Sequence, residues 1–152
     1  MRILLTYTNS LTSILYDDKI TVRSDFLKME LVNHWDDRGL LFSIESKQDI
    51  PFEIQRVFFI SNVPKGKTRG NHVYKHNECV ICIAGNCRIA VTDGKDKREY
   101  TLSAPHGSVI IPAGTWRSLY DFSADCILAV LSDAHFEITD YTFDRSQFMN
   151  GD

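Results

Sequence analysis

Between about residue 29 and residue 132 the chain alternates short apolar, β-branched or aromatic stretches with polar breaks, at intervals of roughly ten residues. The pattern predicts strands over 29–32, 40–45, 54–62, 71–78, 79–84, 87–92, 99–102, 108–111, 116–121 and 126–132. Turns fall at 34–39, at Gly85-Asn86 (a two-residue hairpin signal), at Asp93-Gly94, at 104–107 and at 112–114. Only 144–149 reads as a short helix. Residues 1–28 hold a Thr/Ser-interrupted apolar segment, an Asp17-Asp18 turn and an alternating piece at 19–23. They are expected to form an N-terminal extension before one domain spanning 29–152. Short strands with regular turn signals predict an all-β sandwich or barrel.

Composition narrows the functions. The 152 residues suit one domain with a sizeable core, and a formal net charge of −3 argues against general nucleic-acid binding. No apolar run reaches the length of a membrane-spanning helix, so no membrane partner is expected; the opening segment lacks a clear cleavage site, so neither is a signal peptide. Cys79 and Cys82 spell C-x-x-C, but a separation of three within a strand sends the two sulfurs to opposite faces. They are expected to be buried, reduced thiols, as are Cys87 and Cys126, which fits a cytoplasmic protein.

The stretch from Gly66 to Gly85 carries the chemistry. His72, Tyr74, His76 and Glu78 recur at every second position, so a continuous strand would put all four on one face. Their spacing, with Gly66 before and Gly85 after, resembles the first signature of a cupin, G-x5-H-x-H-x3-E-x6-G, with Tyr74 in place of the second histidine. Gly107, Pro112, Ala113, Gly114 and Arg117 resemble the second signature, one residue short, with Arg117 where that signature ends in histidine. A guanidinium has no lone pair and repels a divalent ion, and His72 with Glu78 alone are too few ligands unless His76 joins them. No metal is therefore expected. The arginine suits an anionic or oxygen-rich ligand.

Further stretches extend the likeness: Asp36-Asp37-Arg38-Gly39-Leu40-Leu41, Ile50-Pro51-Phe52-Glu53-Ile54-Gln55-Arg56-Val57-Phe58-Phe59-Ile60, and Pro64-Lys65-Gly66-Lys67-Thr68-Arg69-Gly70-Asn71-His72. Thr92-Asp93-Gly94, Trp116, Asp121-Phe122-Ser123-Ala124-Asp125, Val130-Leu131-Ser132 and Asp140-Tyr141 continue it in order. Together they resemble the cupin-type sugar 3,4-ketoisomerases that act on dTDP-4-oxo-6-deoxyglucose. The resemblance implies a jelly-roll double-stranded β-barrel with a short C-terminal helix. It also implies a homodimer, no cofactor, and a ketone moved from C4 to C3 of a dTDP-linked deoxysugar, in a pathway making unusual sugars for glycans. His72 then carries over as the acid–base residue, and the second role falls to Tyr74 by position or to His76 on the same expected face.

Such a reaction needs a base poised near neutral pH, which an imidazole supplies, and a donor for the developing oxyanion, which a phenol can be. Arg69 and Arg117 are candidates for the diphosphate or sugar oxygens, Trp116 for core filler or stacking platform, and Asn71 and Glu78 complete the substrate-binding set. His34, His106 and His135 sit by turns and are read as structural. The rival functions are a nucleotide-sugar epimerase on the same barrel and a cupin that only binds a sugar or nucleotide.

Overall fold

The computed structural model describes residues 28, 29, 31 and 33–150. The turn expected at 17–18 and the alternating piece at 19–23 therefore lie outside the described residues. In chain order the strands are β1 (Lys28–Met29), β2 (Asn33–Asp36), β3 (Gly39–Phe42), β4 (Arg56–Ser61), β5 (Arg69–Tyr74), β6 (Glu78–Ala84) and β7 (Asn86–Thr92). They continue with β8 (Lys97–Ser103), β9 (Gly107–Ile111), β10 (Thr115–Tyr120), β11 (Ile127–Ser132) and β12 (Tyr141–Thr142), and the helix α1 (Arg145–Asn150) ends the described chain. Two five-stranded antiparallel sheets form, in the orders β1-β9-β6-β11-β4 and β12-β5-β10-β7-β8, with β2-β3 as a separate hairpin. This is the expected jelly roll.

The main core lies between the sheets. Val80, Val109, Leu128 and Val130 of the first sheet meet Ile89, Val91, Leu102 and Leu119 of the second, all at most 4% exposed. Cys82, Cys87 and Cys126 join this layer, whereas Cys79 packs on the outer face of the first sheet with Ile81, Ile110, Leu31, Ile50 and Phe52. The C-x-x-C pair is thus split between faces, as the spacing predicts, and all four cysteines are free and buried. Because both faces of the first sheet are covered at β6, that strand is an unbroken buried run over its first five residues.

Three local expectations are corrected. Residues 71–78 are not one strand. Strand β5 ends at Tyr74, the chain bends through Lys75–Asn77, and Glu78 opens β6 in the opposite sheet. The bend is fixed by Asp133, whose carboxylate accepts from the Asn77 backbone N–H at 3.0 Å and from its side-chain amide at 2.6 Å. Residues 34–36 are strand rather than turn; the reversal needs only Asp37 and Arg38, with the Arg38 N–H donating to the Asp36 carboxylate at 2.9 Å. Gly85-Asn86 is not a hairpin turn: β6 and β7 lie in different sheets, and Gly85 alone separates them at φ 63°, where a Cβ would lie 2.6 Å from Asp125 Oδ1 and 2.8 Å from Cys126 Cα. The C-terminal helix is present, one residue later than expected. Asp144 caps it by accepting from the Ser146 and Gln147 N–H groups at 2.8 and 3.3 Å.

Candidate active site

Cross-strand pairing assembles the site at one end of the barrel. On β10, Arg117 lies opposite His72 of β5, so the two side chains are neighbours on the inward face. The register then slips: Ser118 pairs with Gly70, leaving Asn71 as the extra residue of a bulge at φ 56°. Gly70 belongs to the same device. At φ 75° its backbone passes so close to β10 that a Cβ would sit 2.8 Å from the Arg117 carbonyl oxygen. Asn71 is thereby turned outward, where its amide donates to Thr68 Oγ1 at 2.8 Å.

Glu78 enters from the first sheet, 6% exposed, and meets two guanidiniums: Arg117 Nη2 at 3.6 Å and Arg56 Nη2 at 3.9 Å. Arg117 is itself 1% exposed. Its Nε, Nη1 and Nη2 have no hydrogen-bond partner within the protein, so the guanidinium presents its donors to the interior. Burial raises the Glu78 carboxyl from its ordinary value, opposed by the fields of Arg117 and Arg56. The fully buried Tyr74 forms the floor, its hydroxyl 3.4 Å from Ser132 Oγ and both guanidiniums over its ring at 5.6 and 5.8 Å.

His72 is half-buried beside this group. Its Nδ1 is 3.1 Å from the Gly70 carbonyl oxygen, which can only accept, so Nδ1 carries the hydrogen and Nε2 keeps its lone pair. Burial first, and the Arg117 charge second, lower the imidazole to about 4. At neutral pH His72 is an uncharged base. It borders an open cleft of about 570 Å³ between β4 and the start of β5, which Phe58, Ser61, Thr68 and Arg69 also line.

Besides Asn71, two candidates stand elsewhere. Trp116 is adjacent to Arg117 and so faces the other side of β10; there it packs on Phe148 of α1 at 5.9 Å and donates from Nε1 to Ser118 Oγ at 3.2 Å. His76 lies in the bend beyond Tyr74, its Nε2 3.1 Å from Asp140 Oδ2 and its Nδ1 3.8 Å from Asp133 Oδ1. It ties the C-terminal segment to the barrel rather than bordering the cleft.

That segment supplies what the sequence reasoning missed. Tyr141 pairs with Tyr74 across β12 and β5, stacks on its ring at 4.5 Å, and meets the His72 ring edge-on at 5.0 Å. Phe143 meets the other part of the His72 ring at 5.6 Å. Arg56 Nη2 donates to the Tyr141 hydroxyl oxygen at 2.9 Å. Arg56 had a legible signal: strand alternation puts it on the same face as the inward Phe58 and Ile60. Among the described residues no grouping of three or more His, Cys, Asp or Glu side chains is of the kind that holds a metal ion.

Comparison with known proteins identifies the family. The family model described as FdtA, WxcM-like, C-terminal, matches residues 24–151. The TDP-4-oxo-6-deoxy-alpha-D-glucose-3,4-oxoisomerase of Aneurinibacillus thermoaerophilus is 37% identical over 107 residues, which are 70% of this chain and 77% of that protein. Among solved structures, QdtA, a sugar 3,4-ketoisomerase from Thermoanaerobacterium thermosaccharolyticum in complex with TDP, superposes with a TM-score of 0.80 at 30% identity. The match covers 84% of this chain and 94% of that one. A 3,4-ketoisomerase from Helicobacter canadensis also gives 0.80, at 28% identity and 84% and 96% coverage. The chain belongs to the FdtA, WxcM-like, family of sugar 3,4-ketoisomerases.

Proposed function

We propose that the protein converts dTDP-4-oxo-6-deoxyglucose to its 3-oxo isomer through an enediol, with His72 as the base. The observation that carries this reading is the neutral His72, which borders the cleft with its Nδ1 hydrogen held by Gly70, beside a buried, donor-rich Arg117. His72 removes the proton at C3, which the neighbouring ketone acidifies. The C–H electron pair forms the C3=C4 bond, and the C4 carbonyl pair moves to O4, which takes a proton. The hydroxyl on O3 then gives up its proton, its electron pair closes the C3 carbonyl, and the C3=C4 pair captures a proton at C4. No redox partner enters, because the oxidation at C3 is matched by the reduction at C4. Arg117, and Arg69 at the rim, are suited to the oxygens of the sugar and the diphosphate.

We also propose that the working form is a cytoplasmic homodimer. Its support is the outer face of β4, the last strand of its sheet, where Val57 and Phe59 are 50% and 64% exposed.

Proton NMR with dTDP-4-oxo-6-deoxyglucose in D2O tests the function. The expected result is a 3-oxo product with deuterium at C4. Deuterium at C3 or C5 with the ketone unmoved would instead make the protein an epimerase, and binding without exchange would make it a binding module.

A further inference from the structure

The two phenols beside His72 are not equivalent. Tyr74 is completely buried. Tyr141 covers one face of its ring, and its hydroxyl is turned down toward Ser132, itself fully buried. Tyr141 is only partly buried, touches His72 edge-on, and forms with the exposed Phe143 a wall along one side of the imidazole. A phenol has one hydrogen to give and an oxygen that accepts. Arg56 already donates to the Tyr141 oxygen, so the hydroxyl hydrogen is directed elsewhere, and the cation beside the oxygen favours its release. The segment is held in place behind the ring: Asp140 is anchored by His76, and the Lys75 backbone N–H donates to the Asp140 carbonyl at 3.1 Å.

We propose, resting on the ketoisomerase reading above, that Tyr141 is the residue that gives a proton to O4 as the C4 oxyanion develops, with Arg56 holding its oxygen in place. When the C3–H pair moves into the C3=C4 bond, the carbonyl pair on O4 takes the Tyr141 hydroxyl hydrogen. The phenolate left behind is stabilised by Arg56 and recovers a proton when O3 gives up its own. Protons balance within one turnover. Burial pushes the Tyr141 phenol above its ordinary value, so it stays protonated and able to donate through the neutral range.

Tyr141→Phe in the full chain removes one oxygen and leaves the ring wall standing. The expected outcome is a kcat at least about 100-fold lower, the scale of a lost proton donor, with TDP affinity by calorimetry within threefold of wild type. Arg56→Lys keeps a cation near Glu78 but shortens its reach to the phenol, and is expected to lower kcat at least fivefold with TDP affinity again unchanged. A kcat for Tyr141→Phe within threefold of wild type overturns the assignment, as does a parallel loss of TDP affinity. A wild-type chain that neither isomerises the sugar nor exchanges its C3 hydrogen overturns this and the parent reading together.

Discussion

The Arg117–Glu78 pair can be tested by a double-mutant cycle. At 3.6 Å and an effective dielectric near 20, the Coulomb attraction is about 4–5 kcal/mol, most of it offset by the cost of burying both charges. Removing one partner of such a pair typically costs about 3–5 kcal/mol, because the other charge is left buried without compensation. Arg117→Met should fall at the low end, about 3 kcal/mol, since Arg56 still faces Glu78 from 3.9 Å. Glu78→Gln should cost as much or more, because it strands the fully buried Arg117 while Arg56 retains Tyr141. The double variant replaces the pair by neutral side chains of similar volume. It is expected to be at least about 2 kcal/mol more stable than the sum of the single losses predicts. Urea unfolding at pH 7 and one fixed protein concentration measures each corner, and about 3 kcal/mol should appear as a fall in Tm of about 6–12 °C. Additivity within about 0.5 kcal/mol would refute the reasoning, since it would mean the two groups do not sense each other.

Other outcomes follow from the same geometry. His72→Asn should abolish isomerisation while leaving TDP affinity within a fewfold, measured by NMR turnover and calorimetry. Because the His72 imidazole is lowered to about 4, the acid limb of kcat/KM should bend near that value rather than near 6.5, and Arg117→Met should move it upward by removing a neighbouring positive charge. The sign for stability follows: the unfolded chain takes up this proton first, so the His72 contribution is complete above pH 6.5 and is lost as pH falls toward 4. Gly70→Ala should cost about 1–3 kcal/mol by thermal melting and lower kcat as well, because it strains a φ of 75° and presses on the β10 backbone beside Arg117.

How much of this was legible in the sequence depends on whether the deciding contacts are local. Short β-branched and apolar runs bounded by turn residues marked out β4 and β6 to β11, and the C-x-x-C spacing split Cys79 from Cys82, because both signals are properties of the strand itself. The same rule, applied from Arg117, would have turned Trp116 outward, toward the face that α1 covers. The end of β5 had no such signal. His72 to Glu78 alternates as well as any strand, and the chain leaves the sheet only because Asp133, 56 residues away, captures Asn77. The Gly70–Asn71 bulge was hidden for a related reason: the slip is visible only against the partner strand β10. Tyr141 was hardest to place, since β12 has two residues and its meaning comes from pairing with Tyr74.

These contacts set the surroundings of His72 apart from those of a metal-binding barrel. Where a coordinating nitrogen would sit, Arg117 places a fixed positive charge beside His72 and against Glu78. Burial first, and that charge second, keep the imidazole unprotonated, and the guanidinium has hydrogen-bond donors with no partner within the protein. A metal cation would have consumed the lone pair of His72 as a ligand, whereas the guanidinium leaves it free. The bulge at Gly70–Asn71 then decides which nitrogen is free, because the Gly70 carbonyl takes the Nδ1 hydrogen and leaves the lone pair on Nε2. The tautomer thus comes from the Gly70 carbonyl and part of the lowered basicity from Arg117, and losing either neighbour should change the chemistry before it unfolds the barrel.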